Sequence, residues 1–235
     1  MDIPPPSPDR SALLAELRRK LGGLEQVGRQ AGAVPLCAAL DGALPAGGLA
    51  RAALHEVLAA DGVGGAALGF AALALARSGG TVLWIAPEPE AWPPGLLRFG
   101  LDPCRLLLVR AARQAEALWA MEEALRCRAV SAALLIAPRI GLTAGRRLML
   151  AAEAGGAMGI LLRSDSAAPG PTVALTRWRI APLPALVQDE PHWRVELLRS
   201  RGGAGGDWAL RWREEARLLE EAAPPATLPG RRRAG

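Results

Sequence analysis

The chain has no tyrosine, only two phenylalanines and a single lysine, Lys20. Nearly all of its basic charge is therefore arginine. With abundant alanine and glycine, the net charge of +5 reads as a GC-rich coding bias more than as a dedicated basic stripe. The three cysteines, Cys37, Cys104 and Cys127, are odd in number and lack C-x-x-C spacing. That argues against a disulfide framework or a zinc site and for reduced thiols. The two histidines, His55 and His192, are far apart without ligand-like neighbours, so no metal is expected. No apolar run reaches the roughly 18 residues of a membrane span. Residues 1–10 are proline-rich without an apolar core, so no secretory leader is expected and the location implied is cytoplasmic.

What is present is a large apolar fraction, 51% of 235 residues, enough to bury the core of one α/β domain with short extensions. Residues 7–21 read as an amphipathic helix whose Leu13, Leu14, Leu17 and Leu21 recur at helical spacing. Gly22 and Gly23 stop it. Behind that connector, apolar runs at 50–58, 81–86, 105–109, 131–137 and 158–163 alternate with helical stretches at 65–77, 93–99, 113–127 and 143–154. Strands alternating with helices predict crossover units and a mostly parallel sheet covered on both faces. The pattern then changes. Residues 172–180, 192–200 and 207–213 alternate apolar with polar, and the last two are joined by a glycine-rich connection at 201–206. This predicts an antiparallel extension at one sheet edge. Residues 214–221 are expected to form a short helix and 222–235, with Arg231–Arg233, a disordered basic tail. The divisions are thus 1–39 for the leading helix and linker, 40–215 for the core and 216–235 for the short helix and tail.

One segment has the layout of a phosphate-binding loop without its chemistry. The strand ending at Leu58 is followed by a turn containing Gly62 and Gly64 and then an alanine-rich helix. A working loop reads G-x-x-x-x-G-K-[ST]; its lysine neutralises phosphate charge and its hydroxyl binds Mg²⁺. Here Ala59 takes the first glycine, Gly64 the second, Gly65 the lysine and Ala66 the hydroxyl. The later strand that should end in a metal-anchoring aspartate ends in Ala137-Pro138. Glu88, after another strand, is placed to polarise water, but has neither lysine nor metal to work with. Because electrostatic clamping carries most of phosphoryl transfer, no turnover, nucleotide cofactor or catalytic residue is expected.

Several features together resemble the bacterial RecA recombinase core. They are Leu44-Pro45-Ala46-Gly47, the degenerate loop, the strand ending near Glu88, Gly100-Leu101-Asp102-Pro103, the strand ending at Ala137, and the late antiparallel strands. The stretch from Arg194 to Ala204 resembles that family's R-V-x-x-x-K-x-K-type strand. The resemblance implies that Arg199 and Arg201 sit where two basic side chains reach a neighbouring subunit's nucleotide, and Glu88 where the catalytic glutamate sits. A RecA-like core lacking lysine, hydroxyl and aspartate is similar to the ImuA family. That likeness implies a non-catalytic accessory role in damage-induced (SOS) translesion synthesis and mutagenesis. The partners it implies are an ImuB-like polymerase homologue, an error-prone replicative-type polymerase and, as a further candidate, RecA itself.

Self-association through the leading helix is a related expectation. Two other readings compete: a SulA-type inhibitor of the tubulin-like division protein, and an ATPase with a displaced lysine. The loops 138–145 and 164–171 hold the positions of RecA's DNA-binding loops. Both are short, and the second has no aromatic or basic residue, whereas single-strand binding uses stacking and phosphate contacts. Arg139, Arg146, Arg147, Arg163, Arg177 and Arg179 are the candidates for a basic face. Weak DNA contact is thus the expectation. Trp208 and Trp212, an even number of residues apart, share one strand face. They read either as packing under the antiparallel strands or as an aromatic platform for a partner.

Overall fold

The computed structural model describes residues 32–60, 64–89, 93–137, 140–165, 170–185 and 190–222. The leading helix with Leu13, Leu14, Leu17 and Leu21, the turn residue Gly62, Arg139, residues 166–169 of the loop 164–171 and the arginine tail lie outside those residues.

The chain builds β1 (Ala33–Val34), α1 (Ala38–Gly42), β2 (Leu49–Ala50), β3 (Leu54–Ala59), α2 (Gly65–Arg77), β4 (Thr81–Ala86) and α3 (Pro93–Arg98). It continues with β5 (Leu106–Arg110), α4 (Gln114–Arg126), β6 (Val130–Ile136), α5 (Leu142–Gly155) and β7 (Met158–Ser164). The last strands are β8 (Thr176–Leu183), β9 (His192–Ser200), β10 (Gly206–Arg213) and β11 (Leu218–Glu221). Nine strands form one sheet in the order β11-β10-β9-β8-β3-β7-β6-β4-β5. From β8 to β5 every pairing is parallel; β9, β10 and β11 add antiparallel. This is the covered parallel sheet with an antiparallel extension that the alternation of patterns predicts.

The two sheet faces are built differently. Helix α2, almost wholly alanine and leucine, has high helix propensity and no polar side, so it is buried against the centre of the sheet. On the same face, Phe70, Phe99, Trp178, Trp193, Trp208 and Trp212 form one aromatic cluster with centroid separations of 5.6 to 6.5 Å. Such pairs contribute about 1 kcal/mol each beyond their buried area. Gly69 of α2 is required by this cluster: a Cβ there would stand 2.8 Å from Phe99 Cζ and 2.9 Å from Trp193 Cζ2. On the opposite face α4 and α5 cover β3, β7, β6 and β4. They approach so closely that a Cβ on Gly155 would overlap the Leu125 carbonyl.

Three readings of the sequence are corrected. Residues 214–221 are not a helix. Glu214–Arg217 is a turn closed by Arg217 N–H donating to the Glu214 carbonyl at 3.0 Å, and Leu218–Glu221 pairs antiparallel with β10. The reason is a period of two: Leu219 is buried under the aromatic cluster while Glu220 faces out to an ion pair with Arg211 at 2.6 Å. The packed core is also wider than 40–215, because Val34, Leu36 and Leu219 belong to it. Trp212 is not part of an exposed platform. It is 1% exposed, and its indole N–H donates to the Arg98 carbonyl at 2.9 Å; Trp208 packs half-buried on the same cluster.

His55 is locked into this core. A carbonyl only accepts, so Nε2 carries the proton toward the Ala50 carbonyl at 2.8 Å. Nδ1 then accepts from the Thr176 hydroxyl at 2.7 Å, whose oxygen accepts from the Trp178 indole N–H at 2.8 Å. Burial pushes the His55 pKa down to about 4, partly opposed by the bond to Ala50. The unfolded imidazole takes a proton near pH 6.5 and the folded one resists it. Stability contributed by neutral His55 is thus complete above about pH 6.5 and declines as pH falls toward 4, by on the order of 3 kcal/mol. Urea unfolding at stepped pH is expected to show this decline, and His55→Gln is expected to flatten it.

Candidate functional site

The degenerate loop sits where the fold puts a phosphate loop, at the carboxyl end of the central strand β3 before the first covering helix. Ala59 is buried at the end of β3. Gly64 is the N-cap of α2 and supplies no side-chain hydrogen bond. Gly65 is exposed, and a Cβ there would meet nothing within 4 Å; space for a longer side chain exists but glycine fills the position. Ala66, at the hydroxyl position, is buried. Beside the end of β3 the charged groups are already matched. Asp165, whose N–H donates to the Ala59 carbonyl at 2.9 Å, accepts from Arg179 at 2.5 Å, and Arg179 also reaches Glu196 at 3.2 Å. Glu88 is exposed and paired with Arg110 at 2.6 Å.

Arg199 and Arg201 lie two strands away from β3 in the sheet. Arg201 N–H donates to the Leu175 carbonyl at 3.0 Å, and Leu175 N–H to the carbonyl of Leu54, the first residue of β3, at 2.8 Å. Arg201 is thus set back from Ala59 by the length of β3, about 17 Å, and Arg199, level with Glu56, by about 10 Å. Both are exposed. Arg199 donates to the Thr172 carbonyl at 2.8 Å and Arg201 to that of Val173 at 3.5 Å. The site residues of the sequence reading are therefore dispersed: the loop at the carboxyl end of β3, the arginines set back from it and two strands away, Trp208 and Trp212 against the core.

The structure instead gathers two of the basic-face candidates, Arg163 and Arg177, on a carboxylate the sequence reading passed over. Glu56, on the α5-facing side of β3, is buried. Its Oε1 accepts from Arg163 Nε of β7 and its Oε2 from Arg177 Nε of β8, both at 2.6 Å. Strand register causes this, since β7 and β8 are the two parallel neighbours of β3 and present residues of the same face on either side. Arg177 Nη2 also donates to the Gly170 carbonyl at 2.8 Å. The group borders an open pocket of about 310 Å³ lined by Gly141, Leu142 and Gly145 of the α5 amino end and by Gly170–Val173. A lone carboxylate in an apolar strand, with arginines interrupting two later apolar strands, is the sequence signal that identifies it. Of the other basic-face candidates, Arg147 is paired with Glu122 and Arg146 is exposed.

The architecture is that of the RecA-type recombinases. The crystal structure of the RadB recombinase matches it with a TM-score of 0.59 at 17% identity, over 78% of this chain and 96% of that one; at that identity the likeness speaks for the fold alone. Sequence comparison supplies the family. Protein ImuA of Caulobacter vibrioides is 39% identical over 197 residues, 74% of this chain and 81% of that protein, in strain NA1000 / CB15N and in strain ATCC 19089 / CIP 103742 / CB 15. The chain belongs to the ImuA family. No protein-family model matches it.

Removing one partner of a buried ion group leaves the others uncompensated, at a cost of about 3–5 kcal/mol. Glu56→Gln, which strands two arginines, is expected to lower stability by that amount in urea unfolding.

Proposed function

We propose that this ImuA-family chain is a non-catalytic, RecA-shaped accessory protein of damage-induced mutagenic translesion synthesis. It acts through protein contacts with an ImuB-like polymerase homologue and an error-prone replicative-type polymerase, with RecA as a further candidate. The observation that carries the non-catalytic part is the amino end of α2. Gly64, Gly65 and Ala66 offer backbone amides but no cation or hydroxyl, and the arginine beside the end of β3 is held by Asp165 and Glu196. Phosphoryl transfer depends on positive charge at the β/γ-phosphates and on a held Mg²⁺. Backbone amides at a helix start attract an anion but do not replace that charge. The pairing of Glu88 with Arg110 supports the same reading. The polymerase partners are carried over from the resemblance to the ImuA family, which the 39% identity to Protein ImuA supports.

Two measurements test the two halves separately. Millimolar Mg·ATP is expected to leave the thermal midpoint unchanged, whereas ligand at a hundredfold excess over its Kd would add about 2.7 kcal/mol. A saturable upward shift, or phosphate release above background, overturns the non-catalytic reading. Co-expression with the polymerase homologue and the error-prone polymerase encoded in the same genome is expected to yield a complex that survives gel filtration at micromolar concentration. Elution of this chain away from both removes the accessory role.

A further inference from the structure

We propose that the groove between α4 and α5 is a docking site for an acidic amphipathic helix of another protein, separate from the degenerate loop and independent of which polymerases are bound. The two helices lie side by side on the sheet, so close at their carboxyl ends that a Cβ on Gly155 would meet the Leu125 carbonyl. Each borders the groove with one stripe at the spacing i, i+4, i+7, i+11, which is a single helix face. On α4 the stripe is Ala115, Trp119, Glu122 and Arg126; on α5 it is Thr143, Arg147, Leu150 and Ala154. Arg147 donates to Glu122 and joins the two stripes across the groove.

The groove carries apolar surface that the described fold leaves uncovered. Leu150 is 63% exposed, more than any other large apolar residue among those described. Trp119 and Leu118 are half-buried, and Ala115 and Ala154 are exposed. Tryptophan and arginine ringed by weaker contacts are the residues on which interface energy concentrates. The alanines between them leave room for the side chains of a third helix packed on these two. An amphipathic helix laid in such a groove anchors through apolar residues at i, i+4 and i+7, the spacing that the stripes themselves have.

Charge decides which helix fits. The Glu122 side chain, 8% exposed, answers both Arg126 at 2.7 Å and Arg147, whose side chains are 55% and 66% exposed. One carboxylate thus faces two guanidinium groups inside the groove. The other carboxylates of these helices do not correct the balance: by helical spacing Glu116 and Glu123 stand on the flank of α4 turned from α5, and Glu153 on the flank of α5 turned from α4. Segment 7–21 of this chain carries Arg10, Arg18, Arg19 and Lys20 against Asp9 and Glu16, so it brings charge of the same sign. A second copy of α4 and α5 does so too. Glutamates flanking an apolar stripe supply the missing sign and form charge-assisted hydrogen bonds with the exposed guanidiniums.

Fluorescence anisotropy of the full chain with three labelled probes tests this. The first probe is an eighteen-residue helical peptide with leucines at i, i+4 and i+7 flanked by glutamates. The second has lysine for each glutamate, and the third is a twelve-nucleotide oligothymidylate. The glutamate peptide is expected to bind saturably and the lysine peptide at least tenfold more weakly. Leu150→Ser and Arg147→Gln are each expected to weaken the glutamate peptide at least tenfold. Arg147→Gln leaves a one-to-one Glu122–Arg126 pair and Leu150 is on the surface, so the fold is retained; circular dichroism and the thermal midpoint check this. Leu97→Ser on α3 and Arg211→Gln on β10 remove a leucine and an arginine elsewhere and are expected to bind as the unaltered chain does. The proposal is overturned if the glutamate peptide does not bind, if both peptides bind alike, if the two control variants weaken binding as much as the groove variants, or if the oligothymidylate alone binds.

Discussion

Burying one carboxylate in the middle of the central strand sets the terms for everything around it. Glu56 stands on β3 with parallel neighbours on both sides, and an unpaired ion at that depth would cost several kcal/mol. The structure answers with an arginine from each neighbour. Strand β7 is thereby held by an ion pair as well as by its backbone bonds, and β8 likewise. A slip of one residue in either strand would turn its arginine into the apolar face and strand the carboxylate. Polar burial here specifies register where apolar side chains alone would tolerate alternatives.

The two faces of the sheet then divide the labour. Toward α2 the late strands are aromatic, and the cluster of Phe70, Phe99 and four tryptophans ties the antiparallel extension to the parallel part. Toward the other side the same strands carry charge in matched sets, such as Arg194 with Asp207 and Arg211 with Glu220. Exposed pairs of this kind add little stability. They do leave that face unsuited to apolar docking, and they use up many of the arginines that give the chain its basic balance.

The alternation of apolar runs with helical stretches made the parallel core legible, because each buried strand is a short block of β-formers between turn residues. The period of two did the same for β8, β9 and β10. It was overlooked in residues 218–221, where the acidic run Glu214-Glu215 and Glu220-Glu221 reads as a helix surface until Leu219 is seen to need cover. The degenerate loop was equally legible, since its missing lysine is a property of sequence. The charged group around Glu56 was not. Its members are separated by 107 and 121 positions, and only the order of strands brings them together. Trp212 shows the same limit: even spacing assigns it a face, but which face is covered depends on α2 and Phe99.

The start of α2 has the placement of a phosphate loop without the lysine and hydroxyl side chains. Helix α2 begins shortly after β3, with Gly65 exposed at its first position. No positive charge stands at the lysine position, and Arg179 beside it is cancelled by two carboxylates. One surplus guanidinium stands instead on the other side of β3, at the start of α5. Backbone amides at a helix start attract an anion, but the arginine beside the α2 end is answered by Asp165 and Glu196. Arg199 and Arg201 do not stand in for it: by register they lie level with Glu56 and Leu54, two strands away from β3.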